Sequence, residues 1–141
     1  MRILFLCKDN GARSQMAEAL ARQMFGAEIE VQSAGAERGV GVHPLAVACM
    51  REVNLDISGH KVKTVGSVNP STLDLCVVVC EREVSVDLVP KGVKRLHWPL
   101  MDPLDPPAAE PELKRRFVDL RMALTKHLKT VGKLKATRIG A

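Results

Sequence analysis

Eight residues near the start of the chain, Cys7-Lys8-Asp9-Asn10-Gly11-Ala12-Arg13-Ser14, constrain its fold more than any others. They follow a short apolar run, Ile3-Leu4-Phe5-Leu6, and open directly into Gln15-Met16-Ala17-Glu18-Ala19-Leu20. The run is apolar on both faces, as a parallel strand buried under helices must be. Met16, Leu20 and Met24 then recur every fourth residue beside Ala17 and Ala21, an apolar helix stripe that Gly26 ends. The stretch is therefore a tight loop between strand and helix. Five residues between Cys7 and Arg13 suffice to wrap backbone N–H groups around one tetrahedral oxyanion. The helix N-terminus adds unpaired N–H groups and a positive dipole end, and the same field favours a thiolate at Cys7. An anion-binding loop made of Cys7, Lys8, Asp9, Asn10, Gly11, Ala12 and Arg13 is expected.

Strand and helix signals alternate through the rest of the chain. Residues 28–33 alternate as a second strand, closed by Ala34-Gly35; a Gly-rich loop then leads to His43-Pro44, where Pro44 suits the first turn of a helix. Leu45, Ala48, Cys49 and Val53 would form that helix's apolar face. His43 reads as a helix-entry residue. Leu73 to Cys80 is the most hydrophobic run and reads as a central buried strand; Val93 to Trp98 is a weaker, edge-like one. The loop from Pro99 to Pro107 carries Asp102-Pro103 and Asp105-Pro106 and cannot stay helical. Pro111 opens a last helix whose stripe is Leu113, Phe117, Leu120, Leu124, Leu128 and Val131. The fold class expected is α/β: one domain over 1–141, a four-stranded parallel sheet with helices on both faces, and a frayed basic tail over 132–141. Right-handed crossovers bring the strands' C-terminal ends, with Cys7, Ser33 and Cys80, to one edge.

Composition narrows the function classes. No apolar run approaches a membrane span, and the first is too short for a signal peptide, so a cytoplasmic chain with reduced cysteines is expected. Cys7, Cys49, Cys76 and Cys80 form no C-x-x-C pair and no zinc-like spacing, so no metal is expected. Cys49 and Cys76 read as core. Residues 112–141 hold nine Lys or Arg against two acids. Without interleaved aromatics this reads as a solvated helix face, with neither nucleic acid nor membrane as partner. Asp9 would repel an anion if turned inward, so it is expected to point outward. His60 and His97 read as structural or surface residues.

The C-x5-R-S loop resembles that of the low-molecular-weight protein tyrosine phosphatase superfamily. Arg13-Ser14-Gln15-Met16-Ala17-Glu18 is similar to its arsenate reductase branch. So are Ser33-Ala34-Gly35, His43-Pro44-Leu45-Ala46, Asp56-Ile57-Ser58-Gly59-His60 and Lys94-Arg95-Leu96-His97-Trp98 ahead of Asp102-Pro103, in register over about residues 1–106. The resemblance implies that Cys7 is the nucleophile and that Arg13 grips the oxyanion with a bidentate fork. It implies that Ser14 donates to the Cys7 thiolate, that Asn10 shapes the loop in a left-handed conformation with Ser33 bonded to it, and that Asp102 is the general acid, favoured over Asp105 by its spacing from Trp98. Phosphate, sulfate or arsenate can occupy such a loop. Cys7 would form a thiol–arsenate adduct, and Cys80 would resolve it to arsenite and a disulfide. An external thiol, thioredoxin or glutaredoxin with glutathione, would be the reductant of a monomer that carries no cofactor.

The chain departs from the branch in places. A third redox cysteine stands at the position of Asp87 in thioredoxin-coupled relatives and of Arg82 in glutaredoxin-coupled ones, and Ala12 replaces a loop cysteine. Lys63 falls where some relatives use an acid to complete a potassium site with Asn10, Glu18 and Ser33; its ammonium is one replacement for the cation, a solvated lysine the other reading. The segment Glu81 to Pro90 is expected to move. Two other functions stay open: a phosphatase that hydrolyses phosphomonoesters through a Cys7 phosphocysteine, and a non-catalytic oxyanion-binding module. Against a phosphotyrosine slot, the chain has no tyrosine and Leu104 follows Asp102-Pro103.

Overall fold

A computed structural model describes residues 1–81, 89 and 91–140, with side chains through 132. The strands are β1 (Arg2–Cys7), β2 (Glu30–Gly35), β3 (Leu75–Val78) and β4 (Lys94–His97). The helices are α1 (Arg13–Phe25), α2 (Pro44–Arg51) and α3 (Glu110–Gly140), with 3-10 turns at Val65–Ser67 and Pro70–Thr72 between α2 and β3. The four strands form one all-parallel sheet in the order β2-β1-β3-β4. This α/β architecture is a single domain.

The order explains where chemistry can sit. From β1 the chain goes to β2 on one side, then returns across β1 to β3 on the other. The carboxyl end of β1 is thus a topological switch point, where open α/β sheets form their ligand crevice. Cys7 closes β1 at that point, and β1 is buried on both faces. α1 packs on α3, and α3 packs on α2. Trp98, just beyond β4, stacks on His127 of α3 with ring centroids 4.9 Å apart and meets Phe5 at 6.2 Å. Phe117 of α3 stacks on His43 at 5.4 Å. His43 caps α2, its Nδ1 accepting from Leu45 N at 3.0 Å.

Several boundaries differ from the sequence reading, each for a packing reason. β2 runs two residues later than 28–33, because Glu30 pairs with Arg2 and Gly35 with Cys7 along β1. Gly35 therefore belongs to the strand. A Cβ there would lie 2.7 Å from Asp9 C and 2.8 Å from Asn10 N, so only glycine lets the anion loop pass. On α2 the buried residues are Ala46, Cys49 and Met50, while Ala48 is exposed. The helix is turned toward α3, where Cys49 Sγ donates to Phe117 O at 3.4 Å and Arg121 to Cys49 O at 2.7 Å. Met24 is exposed at the end of α1, although Met16, Ala17, Leu20 and Ala21 are buried. The backbone of α3 is helical as far as Gly140. Lys133, Leu134, Lys135 and Ala136 are good helix formers, so a fading apolar stripe does not end the helix. The described part of the basic face, Lys114, Arg115, Lys126 and Lys129, is exposed. Among the described residues no helix is long and apolar enough to cross a membrane.

Candidate active site

The loop after β1 is shaped from outside by the segment that follows β2. Ala36 N donates to Cys7 O (2.9 Å), Glu37 N to Lys8 O (2.9 Å), Gly39 N to Asp9 O (3.2 Å) and His43 N to Gly11 O (2.9 Å). A trans peptide sets its C=O and N–H in opposite directions. Holding those four carbonyls from outside therefore turns the N–H groups of Lys8, Asp9, Asn10 and Ala12 to the opposite side, away from residues 36–43. α1 has no side-chain N-cap, and its first bond is Met16 N to Ala12 O at 2.9 Å. The N–H groups ahead of Met16 are thus left over by the helix. Gly11 N is the exception. Asp9 is exposed, and its Oδ1 accepts from Gly11 N at 2.9 Å, so this carboxylate is spent on the loop itself. Gly39 is required for the close cover, since a Cβ there would lie 2.7 Å from Asp9 O.

Inside the loop, Cys7 Sγ lies 2.8 Å from Ser14 Oγ, and Asn10 Nδ2 lies 2.8 Å from the same oxygen. Ser14 Oγ accepts from Asn10, and towards a Cys7 thiolate, which can only accept, its own hydrogen is the donor. Asn10 is fully buried at φ 61°, the left-handed region that the resemblance implies. Its Oδ1 accepts from Lys63 N (3.0 Å) and Gln15 Nε2 (2.8 Å). Ser33 is therefore not bonded to Asn10. Asn10 Oδ1 is taken by two donors and Nδ2 donates to Ser14, while Ser33 Oγ is buried with no hydrogen-bond partner among the described residues. Glu18, also buried, faces Arg22 at 3.6 Å and His60 at 3.5 Å. With Asn10 Oδ1 doubly bonded and Glu18 turned to these two groups, Asn10, Glu18 and Ser33 do not fit a potassium site.

Arg13 is buried at the start of α1, and its NH1 donates to Leu100 O at 2.9 Å. That bond ties the anion loop to the segment two residues ahead of Asp102. Asp102 is half-buried; its Oδ1 accepts from Leu104 N at 2.9 Å, which turns the chain after it. Arg116 of α3 holds this turn from behind through Pro103 O (3.3 Å) and Pro106 O (2.6 Å). A cavity of about 440 Å³ opens here between the Asp102 turn and Leu120 and Ala123 of α3.

No disulfide joins any of the four cysteines. Cys80 is buried two residues beyond Val78, the register partner of Leu6, so it lies just past the end of the strand beside the one that Cys7 ends. His97 Nε2 donates to Cys80 O at 2.7 Å. Burial pushes the Cys76 thiol up to about 11 despite the nearby Arg95, and it also raises Cys49, against Arg121. Both are inert packing thiols. Arg82 and Asp87, and most of the segment Glu81 to Pro90 expected to move, lie outside the described residues.

Residues 2–136 match the pattern of the low molecular weight phosphotyrosine protein phosphatase family. The chain belongs to that family. The family likeness extends to named proteins. The chain is 38% identical to an arsenate reductase of Bacillus subtilis (strain 168) over 128 residues, 90% of this chain and 91% of that one. It is 39% identical to an arsenate reductase of Staphylococcus xylosus over 102 residues, 72% and 77% of the two chains. A solved structure of an arsenate reductase in the phosphate binding state superimposes with a TM-score of 0.78 at 30% identity, covering 92% of this chain and 95% of that one.

In this member of the phosphatase family, three side chains at the site escape sequence reasoning. Gln15, read only as a mark of resemblance, is fully buried and joins Asn10 to Lys61 O and His60. His60, read as structural or surface, is the outer end of that chain. Arg116, read as part of a basic face, clamps the Asp102 turn.

Proposed function

We propose that the chain is an arsenate reductase that uses Cys7 as nucleophile and Cys80 as resolving thiol. The observation that carries the reading is the Cys7–Ser14 contact of 2.8 Å at a loop whose carbonyls are held from outside by residues 36–43. Arg13 grips the oxyanion's other oxygens by its planar fork. The Cys7 thiolate attacks arsenic(V), forming a sulfur–arsenic bond. Asp102 gives its proton to the departing oxygen, which leaves as water. Cys80 thiolate then attacks Cys7 sulfur. The sulfur–arsenic bond breaks with its electron pair going to arsenic, which leaves as arsenite, and the two thiols become a disulfide. An external dithiol, thioredoxin or glutaredoxin with glutathione, returns that disulfide to thiols by exchange. With arginine and aspartate at positions 82 and 87, this reductant acts directly on Cys7–Cys80. The setting is the cytoplasm, where thiols stay reduced, and the working unit is the monomer. No cofactor takes part.

Two findings support reduction over hydrolysis: the relatives at 38–39% identity are arsenate reductases, and a thiol at position 80 has no use in simple hydrolysis. Hydrolysis of small aryl phosphates is the second reading, supported by the family and by a loop chemistry that serves either anion. Arsenite formation with thioredoxin, with glutaredoxin and glutathione, and with small thiols tests the proposal beside aryl phosphate hydrolysis, in wild type and Cys7→Ser. Arsenite with at least one donor, lost in Cys7→Ser, is expected. No arsenite with any donor alongside brisk phosphate release would overturn it in favour of the phosphatase.

A further inference from the structure

We propose that His60 is a positioning residue for the Cys7 nucleophile, acting through Gln15 and Asn10; this rests on the reading of Cys7 as nucleophile. Two backbone groups fix the direction of every bond in the chain between them. Lys63 N–H can only donate, so the Asn10 atom facing it at 3.0 Å is Oδ1, and Nδ2 faces Ser14 Oγ at 2.8 Å. Lys61 C=O can only accept, so the Gln15 atom facing it at 3.0 Å is Nε2. Gln15 Oε1 then faces His60 Nδ1 at 3.0 Å. Glu18 Oε2 lies 3.5 Å from the same nitrogen. Both neighbours of Nδ1 are acceptors, so Nδ1 carries a hydrogen whether the ring is neutral or charged.

With Cys7 as the thiolate nucleophile, which can only accept, the result is a single file of donors aimed one way: His60 to Gln15, Gln15 to Asn10, Asn10 to Ser14, Ser14 to Cys7. Bonds in such a file polarise one another. Gln15, Asn10 and Ser14 have no exposed surface, and a leucine at position 60 would keep bulk water from Gln15 Oε1 while offering no donor. Without a donor at position 60, Gln15 Oε1 is orphaned. The amide must stay unsatisfied or turn, and turning sets its oxygen against Asn10 Oδ1 and Lys61 O. Either outcome loosens Asn10, which sits at positive φ on the strength of these bonds. The charged groups facing His60 are Glu18 of α1, Arg22 through Glu18, and Asp56, whose carboxyl the Ser58 hydrogen bonds and, in small part, His60 hold below its usual value. Its imidazole lines an open cleft with Ala19, Leu55 and Asp56, so replacing it does not disrupt the core.

The test is the alkylation rate of Cys7 by iodoacetamide as a function of pH, read on the Cys7 peptide by mass spectrometry, in His60→Ala, His60→Leu and His60→Gln. Thermal melts and turnover accompany it, with Cys7→Ser as control. Loss of one hydrogen bond's support predicts about fivefold slower alkylation at neutral pH in the Ala and Leu variants. Their rate profile moves to higher pH, and kcat falls in step while KM for the oxyanion holds. Gln carries a side-chain donor and restores most of the rate. Unchanged profiles in Ala and Leu, or equal losses in all three variants, would overturn the relay, as would a lower melting temperature with unchanged alkylation. Turnover that survives in Cys7→Ser would instead defeat the nucleophile reading itself.

Discussion

Replacing Ser14 by alanine removes one oxygen that does two things. Ser14 Oγ lies 2.8 Å from Cys7 Sγ and 2.8 Å from Asn10 Nδ2, all three residues being buried. Its bond to the thiolate is charge-assisted, worth about 1.5–3 kcal/mol. At 1.4 kcal/mol per factor of ten, Cys7 reactivity at neutral pH should fall about 10- to 150-fold. The same substitution leaves Asn10 Nδ2 without a partner, which costs about 1–3 kcal/mol of stability and lowers the melting temperature by several degrees for a domain near this size. The anion is held by backbone N–H groups and Arg13, which the substitution leaves in place. Phosphate affinity should therefore stay within about threefold of wild type, a loss well below that of one charge-assisted bond. Single-turnover kinetics with an aryl phosphate, which follow formation of the Cys7 adduct alone, measure the first effect; phosphate titration by calorimetry measures the last. Adduct formation within twofold of wild type would refute the argument that Ser14 stabilises the thiolate.

Three further substitutions follow from the same geometry. Arg116→Ala releases Pro103 O and Pro106 O; kcat for arsenate should fall several-fold with KM unchanged, and steady-state kinetics showing the reverse split would contradict the clamp. Gly39→Ala sets a Cβ 2.7 Å from Asp9 O; overpacking of about 1–3 kcal/mol should appear in chemical denaturation together with weaker phosphate binding. Cys76 keeps its proton to about 11 in the fold but loses it near 9.0 when unfolded. Its contribution is therefore fully present below pH 9 and is lost as pH rises toward 11, at about 1.4 kcal/mol per pH unit. Denaturation of wild type and Cys76→Ala across that range should show a steeper alkaline slope in wild type, the remainder in the variant coming from groups such as Cys49; parallel slopes would contradict it.

The strand–loop–helix unit was legible because its determinants are local: an apolar run, a helical stripe and a cysteine and arginine that frame one loop. The four parallel strands followed from alternation of element types. What escaped depends on partners far along the chain. Asn10 is bonded by Lys63, 53 residues away, and Gln15 by His60, 45 residues away. No periodicity reports such a pairing, and the bond expected between Ser33 and Asn10 is not made: Ser33 Oγ has no hydrogen-bond partner among the described residues. The shape of the loop was likewise only half visible. Its length and helix end were in the sequence, but the outward pull on its carbonyls comes from residues 36–43 across the sheet edge. Arg116 looked like one more charge on a basic helix, because which basic residues turn inward depends on where Pro103 and Pro106 present their carbonyls.

The central claim is that the Cys7 adduct is resolved by the thiol at position 80 and not by water. The direct measurement is to let the protein turn over once with arsenate in the absence of any added thiol, quench it with acid and map its peptides by mass spectrometry. A Cys7–Cys80 disulfide is expected in proportion to arsenite released. In Cys80→Ser neither disulfide nor arsenite should form, while aryl phosphate hydrolysis persists. Stoichiometric arsenite from Cys80→Ser, or wild-type turnover that leaves both cysteines as thiols, would contradict the account.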